Sequence, residues 1–348
     1  MEIRFYTPEM NFIGIMENHK SLIWRRKYYE PGAFQLTTPI TEENLRLTEI
    51  GNLVWIKGHT EAAVIEGRFA EETAERAQLE VTGRFLSSYM DRRLIKPTVT
   101  FSGRVEVAMR TLLMDAETLP LVALGTLNGF TEEVSFQATY KNLLKYESKL
   151  SKTSNIGFRF RPDFVNKVIY FETYKGTDHT RTQSTNARVI FSESYDNLEE
   201  TTYQENVQNL KNVFYVGGQG SGGDRVYVSF GSGTGLDRRE VFVDARDITQ
   251  EEGMSDADYR EKLLQRGYEK QTDYQETQAV SCMIDPDANF AYRIDYDLGD
   301  IVTVQKKKWG ISLDMRITEV EEVYEKGGLR VAPVFGSPLP ETVDWRDD

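Results

Sequence analysis

Two distant stretches of this chain spell the same short hairpin, and no other feature limits the fold as much. Gly51-Asn52-Leu53-Val54-Trp55-Ile56 aligns with Gly299-Asp300-Ile301-Val302-Thr303-Val304. Further on, Glu66, Arg68, Phe69 and Glu71 align with Asp314, Arg316, Ile317 and Glu319, every pair 248 positions apart. Two extra residues at the Gly327-Gly328 turn then bring Leu79 and Val81 onto Leu329 and Val331. The C-terminal copy has the pattern of a β-meander. A short strand at Ile301–Val304 leads through a lysine turn closed by Trp309-Gly310 into a long alternating strand, and Gly327-Gly328 turns the chain back. Short hairpins can look alike by chance. The competing reading, adopted here, is a β module that occurs twice.

The rest of the chain is placed around that repeat. Residues 1–96 show seven short apolar runs: 3–6, 12–16, 22–29, 34–37, 53–57, 62–69 and 75–81. Pro31-Gly32 and Gly58-His59 act as turn signals, a pattern for a barrel or sandwich. Residues 97–205 predict an α+β domain. It has a helix at 103–115 capped by Ser102, a second at 138–152, and a hairpin of 156–161 with 167–174. Residues 206–248 and 278–336 are assigned to the second module. Residues 249–277 form a helical insert opening at Ser255, and 337–348 form a loose tail. The expected fold class is therefore mainly β with α+β insertions: two related barrel or sandwich modules, a smaller α+β domain and a short helical insert. A chain of 348 residues is long enough for that many cores.

The charge balance narrows the function. With 42 basic and 55 acidic residues the net charge is −13, spread without long runs, which argues against a nucleic-acid-binding face. No apolar run approaches the ~20 residues of a membrane span, so no membrane insertion is expected, and MEIRFYTPEM lacks the apolar core of a signal peptide. The single cysteine, Cys282, excludes a disulfide within the chain and has the setting of a buried, inert thiol.

Each catalytic motif has a plainer explanation. Gly218-Gln219-Gly220-Ser221-Gly222-Gly223 spells G-x-G-x-x-G, but a strand, Arg225–Phe230, follows where a dinucleotide site needs a helix. A flexible hairpin loop is expected instead. His19, His59 and His179 lack metal-ligand spacing and are expected to be scattered at the surface. Asp295, Asp297 and Asp300 lack the distal glutamate of a calcium loop, and Glu319 with Glu321 form the solvated face of a strand rather than a glycosidase pair. Trp24-Arg25-Arg26-Lys27-Tyr28-Tyr29 alternates so that both faces carry aromatics, as at an interface. No enzyme, metal site or cofactor is expected.

Several stretches resemble the tail-hub proteins of long-tailed phages of Gram-positive bacteria, the siphophage tail-tip family related to baseplate hubs. They are Arg25–Phe34, Asp91–Ile95, Phe158–Asp163, Arg238–Ile248 and Leu298–Val304, and the likeness covers residues 1–336. It implies tail-tube-like modules and a homotrimer capping the tail tube, in which three chains of two modules meet a hexameric tube. It also implies distal-tail and other baseplate proteins as partners, passage of the tape-measure protein and DNA through a channel, and contact with the host cell wall. A receptor- or carbohydrate-binding role at the tail tip is the alternative. A cell-wall hydrolase is not expected, because only 337–348 follow the last predicted strand. The long strands 62–69 and 313–323 are the expected subunit contacts. Their charged residues Glu66, Arg68, Arg316 and Glu319 are the candidate interface residues, setting register and partner choice.

Overall fold

The structure, a computed structural model, describes residues 1–73, 77–116, 119–195, 197–283 and 289–336. The expected tail 337–348 and the start of the strand expected at 75–81 lie outside the described residues. The N-terminal part contains β1 (Ile3–Tyr6), β2 (Phe12–Met16), β3 (Ser21–Lys27), β4 (Ala33–Thr38), α1 (Glu42–Leu47), β5 (Leu53–Ile56), β6 (Ala63–Glu72) and β7 (Ala77–Phe85). Period-two burial shapes it. Along β3 the residues alternate half-buried and buried, so Leu22, Trp24 and Arg26 point inward. Thr41 caps α1 by accepting from the Asn44 N–H at 3.1 Å.

Next come β8 (Thr98–Arg104), α2 (Val105–Asp115), β9 (Val122–Leu124), β10 (Glu133–Thr139), α3 (Leu143–Ser154), β11 (Gly157–Asp163) and β12 (Val168–Tyr174). The helix expected from 103 begins at Val105. Ser102 caps nothing and lies inside β8, which pairs with β10. The helix expected from 138 begins at Leu143, where Asn142 accepts from the Lys145 N–H at 3.0 Å. Strand β10 escapes a periodicity reading because Val134 to Ala138 are all buried, and a strand covered on both faces does not alternate. The expected hairpin is present as β11 and β12.

The C-terminal part contains β13 (Ile190–Ser192) and β14 (Glu199–Asn206), then β15 (Val213–Gly217), β16 (Tyr227–Gly231), β17 (Glu240–Asp244) and α4 (Asp256–Gln271), then β18 (Thr277–Met283), β19 (Ile301–Lys306), β20 (Ile311–Glu325) and β21 (Gly328–Gly336). The assignment of 206–248 to the second module is corrected by the sheet topology. Strands β15, β16 and β17 form their own three-stranded sheet, whose Phe214, Val216 and Val243 pack on Tyr259 and Leu263 of α4. An amphipathic helix beside a small sheet satisfies both apolar faces locally. The module is instead completed by β13 and β14, and the β15–α4 unit is inserted where the first copy has the tight β3–β4 turn.

The two copies share one strand order. The first runs β3-β4-β7-β6-β5-β1, the second β14-β18-β21-β20-β19-β13. They differ at the last pair, which is antiparallel for β5–β1 and parallel for β19–β13. The hydrogen bonds agree in detail. The Gly51 N–H donates to the Ile65 carbonyl and the Gly299 N–H to that of Ile317, each at 2.9 Å. Both glycines have positive φ, +93° and +96°. A β-bulge follows Ile65 in β6 and Ile317 in β20.

This corrects the alignment beyond the first hairpin. Gly51 and Gly299 are 248 positions apart, but Ile65 and Ile317 are 252 apart, and that offset persists through the following strands: Ile65 faces Gly83 and Ile317 faces Phe335. The extra length lies in the β19–β20 hairpin, and Arg316 occupies the position of Val64 rather than of Arg68. With that shift the two cores correspond: Val54 with Val302, Ile56 with Val304, Ile65 with Ile317, and Phe34 with Val280, all buried.

Candidate functional site

The two copies are joined by a sheet seam. Strand β20 is long enough to serve both. Its first half pairs with β19, and its second half takes β3 of the other copy on the same edge, from Glu319 opposite Lys27 to Glu325 opposite Ser21. The result is one continuous sheet. Side chains cross the seam in both directions: Tyr28 enters the core of the second copy and Tyr324 packs on the core of the first.

One face of the seam is a ladder of charge pairs. Arg25 meets Glu321 at 2.6 Å, Lys27 meets Glu319 at 3.4 Å, and the Ser21 hydroxyl donates to Glu325 at 3.3 Å. Glu319 and Glu321 were expected to form a solvated face; their spacing instead matches the basic residues of β3. The aromatic-basic stretch Trp24–Tyr29 does lie at an interface, within one chain.

The inward face holds a buried polar network. Arg26 Nε donates to Glu61 at 3.1 Å, and its Nη1 to Asp297 at 2.6 Å and to the Tyr292 hydroxyl at 2.8 Å. Glu322, with no solvent exposure, accepts from Tyr292 (2.9 Å), Arg293 (2.7 Å) and Tyr324 (2.6 Å). Burial disfavours the Arg26 charge, but Tyr292, Asp297 and Glu61 more than offset this and hold its pKa above the ordinary arginine value. His59 sits between Arg293 Nη2 (3.0 Å) and the Tyr324 hydroxyl (3.2 Å). Burial, then Arg293 and Arg26, push it down to about 3, so it is neutral at physiological pH. The expectation of scattered surface histidines therefore fails at His59.

Sequence reasoning missed this network, although one signal was available. Beyond the bulge, Val320, Glu322 and Tyr324 follow one another on the inward face of β20, so a carboxylate stands in an apolar series. The positions of Glu61, Tyr292 and Arg293 depend on loops and had no such signal.

The four candidate interface residues have different fates. Glu66 is paired with Arg84 at 2.7 Å. Arg316 lies over the Tyr28 ring at 5.0 Å and donates to the Gly299 carbonyl at 2.5 Å. Glu319 belongs to the internal seam. Only Arg68 stands on an open edge, donating to the Leu45 carbonyl at 2.7 Å.

Nothing brings catalytic groups together at the remaining motifs. The Gly218–Gly223 loop joins β15 to β16 through a single 3-10 turn, Gly222–Asp224, so it opens no α-helix. The Gln219 N–H donates to the Tyr259 hydroxyl at 2.7 Å, which fastens the loop to α4. Asp300 accepts from the Thr177 N–H at 2.6 Å and the Asp297 N–H at 2.8 Å, a structural role. Cys282 is buried, which raises its thiol to about 12. Among the described residues, no group of His, Cys, Asp and Glu side chains is placed to hold a metal ion, and no helix is long and apolar enough to cross a membrane.

This architecture recurs in solved phage tail proteins. The tail protein from Neisseria meningitidis MC58 is similar with a TM-score of 0.62 at 12% identity, covering 97% of this chain and 96% of that one. The 43 kDa tail protein of prophage MuSo2 from Shewanella oneidensis gives 0.58 at 12% identity, with 96% and 98% covered. Prophage tail protein gp18 from Listeria monocytogenes EGD-e gives 0.56 at 13% identity, with 96% and 94% covered. These likenesses establish the shared fold. No curated protein matches at the sequence level. The family described as Siphovirus ReqiPepy6 Gp37-like protein matches residues 2–337, nearly the whole described chain, and the protein belongs to that family.

Proposed function

We propose that this phage tail protein is the hub of the tail tip: three copies form a ring that caps the distal end of the tail tube, organises the surrounding baseplate proteins and leaves a channel for the tape-measure protein and DNA. The observation that carries this reading is the doubled module. Two copies with the same strand order, the same bulge and corresponding cores lie in one chain and are joined through a continuous sheet. Such a chain can occupy two quasi-equivalent positions, so a threefold ring offers six similar modules to a sixfold tube. The continuous seam fixes how the two modules are oriented, which a ring of defined diameter requires. A structural role agrees with the family and with the packing of the seam, whose polar groups are consumed by one another.

The test is the mass of the purified full chain by light scattering and native mass spectrometry over a wide concentration range, with negative-stain images of the assembled species. The expected result is a trimer seen as a threefold ring with an open centre. A chain that stays monomeric at all concentrations, alone and with its tail-tube protein, overturns the hub reading.

A further inference from the structure

The repeat leaves one strand place empty. In the second module, the edge of β20 opposite β21 is filled by β19 as far as Arg316 and by β3 beyond it. In the first module, the matching edge of β6 is filled by β5 up to Ile65 and then, among the described residues, by no strand. The exposure follows. In the second module Val320 and Glu322 are buried and Glu321 is half-buried; at the matching positions Arg68, Phe69 and Ala70 are exposed, Phe69 at 60%. An edge of bare backbone with an exposed aromatic invites strand addition.

The repeat also leaves one strand without a second neighbour. The counterpart of β3 in the second module is β14: each is the first strand of its sheet order, and each pairs with the equivalent strand, β4 or β18. Strand β3 has β20 on its other side. Strand β14 ends the sheet, with β18 as its single strand partner among the described residues.

We infer that β14 of one chain adds to the open edge of β6 in a second copy of this chain, repeating between chains the β3–β20 seam found within one. This deepens the hub reading above and rests on it. Superposing the modules fixes the register: Arg68 falls opposite Glu205, Phe69 opposite Gln204, Ala70 opposite Tyr203 and Glu71 opposite Thr202 of the second copy. The chemistry is complementary. Within the chain, acidic β20 meets basic β3 through Glu321–Arg25 and Glu319–Lys27. Between chains, at the place where Val320 faces Arg26 within the chain, β6 brings Arg68 and β14 brings exposed Glu205. Arg68 spends one donor on Leu45, and its guanidinium has others for a carboxylate. The contact is head-to-tail, using different surfaces on the two copies, so it propagates around a ring and closes where the rotation allows.

The experiment is cross-linking of the full chain carrying Arg68→Cys and Glu205→Cys. The native Cys282 is buried and does not compete. Directly opposed residues in an antiparallel sheet have Cα atoms about 4.5–5.5 Å apart, within the Cα separation that a disulfide spans. Mild oxidation is expected to give reducible covalent dimers and trimers from the double variant and from neither single variant. Moving one cysteine two positions, Ala70→Cys with Glu205→Cys, is expected to lower the yield several-fold. Arg68→Glu is expected to weaken assembly about tenfold at low salt, and Arg68→Glu with Glu205→Arg to restore it. A wild-type trimer with neither cross-link nor charge rescue overturns the strand addition and leaves the hub reading intact. A wild-type chain that never assembles overturns both.

Discussion

Replacing Arg26 by methionine tests the buried polar network on the inward face of the seam. The guanidinium is almost wholly enclosed: the Arg26 and Glu61 side chains are 5% and 7% exposed, 3.1 Å apart. Methionine keeps most of the apolar stem and removes the charge, which strands the Glu61 carboxylate inside the seam. Asp297 loses a 2.6 Å partner as well, but its side chain is 44% exposed and water takes over. The Tyr292 hydroxyl still donates to Glu322 at 2.9 Å. The cost is therefore dominated by Glu61, and breaking one side of a buried ion pair costs about 3–5 kcal/mol. Replacing both partners, Arg26→Met with Glu61→Met, removes the stranded charge and is expected to recover most of that loss, to within about 1–2 kcal/mol of wild type. The assay is urea denaturation followed by tryptophan fluorescence, to which Trp24, buried in the same strand, contributes. A single variant within about 1 kcal/mol of wild type, or a double variant no better than the single, refutes the claim that the buried Arg26–Glu61 pair dominates the energy of this network.

Three further outcomes are expected. Folding must keep His59 neutral at about 3 while the unfolded chain takes up a proton near 6.5, so stability is fully present above pH 6.5 and declines as pH falls toward 3; relative to His59→Gln, denaturation midpoints should show wild type losing about 2 kcal/mol between pH 6.5 and 5, although nearby Glu322 Oε2 at 3.7 Å moderates this. Gly51→Ala and Gly299→Ala place a side chain at the same positive φ, which costs about 1 kcal/mol, but only at Gly299 does the new methyl meet the Tyr28 ring, at 2.5 Å; thermal unfolding should rank Gly299→Ala well below Gly51→Ala. In the glycine loop, Gly223→Ala meets open space and should leave the melting temperature unchanged, whereas Gly218→Ala runs into Tyr259 and Leu263 of α4 and should lower it; saturable nucleotide binding by calorimetry would contradict the assignment of this loop to packing.

The amino-acid sequence by itself carried the β character, the existence of a repeated module, the position of its first hairpin and the reasons to set aside a dinucleotide or metal site. Those features are local. A glycine turn at Gly51 and Gly299, alternation along β3 and a strand after Gly218–Gly223 depend on residues within a few positions of one another. The rest depends on pairing between distant segments. Arg68 and Arg316 share a residue type but not a place, because the longer β19–β20 hairpin absorbs the extra residues and the bulges at Ile65 and Ile317 reset the register. Strand β14 gave little sequence signal: Thr-Thr-Tyr-Gln-Glu-Asn has few apolar residues, and it becomes a strand because β18 supplies its hydrogen-bond partners. The buried charges are the clearest case. Arg26, Glu61 and Glu322 come from three separate parts of the chain and are tolerable inside the protein only because folding brings each a partner, Arg26 for Glu61 and the hydroxyls and guanidinium of Tyr292, Tyr324 and Arg293 for Glu322. Pairing across hundreds of positions is decided by which edge is open and which strand can cover it, and that is a property of the folded sheet rather than of any local stretch of sequence.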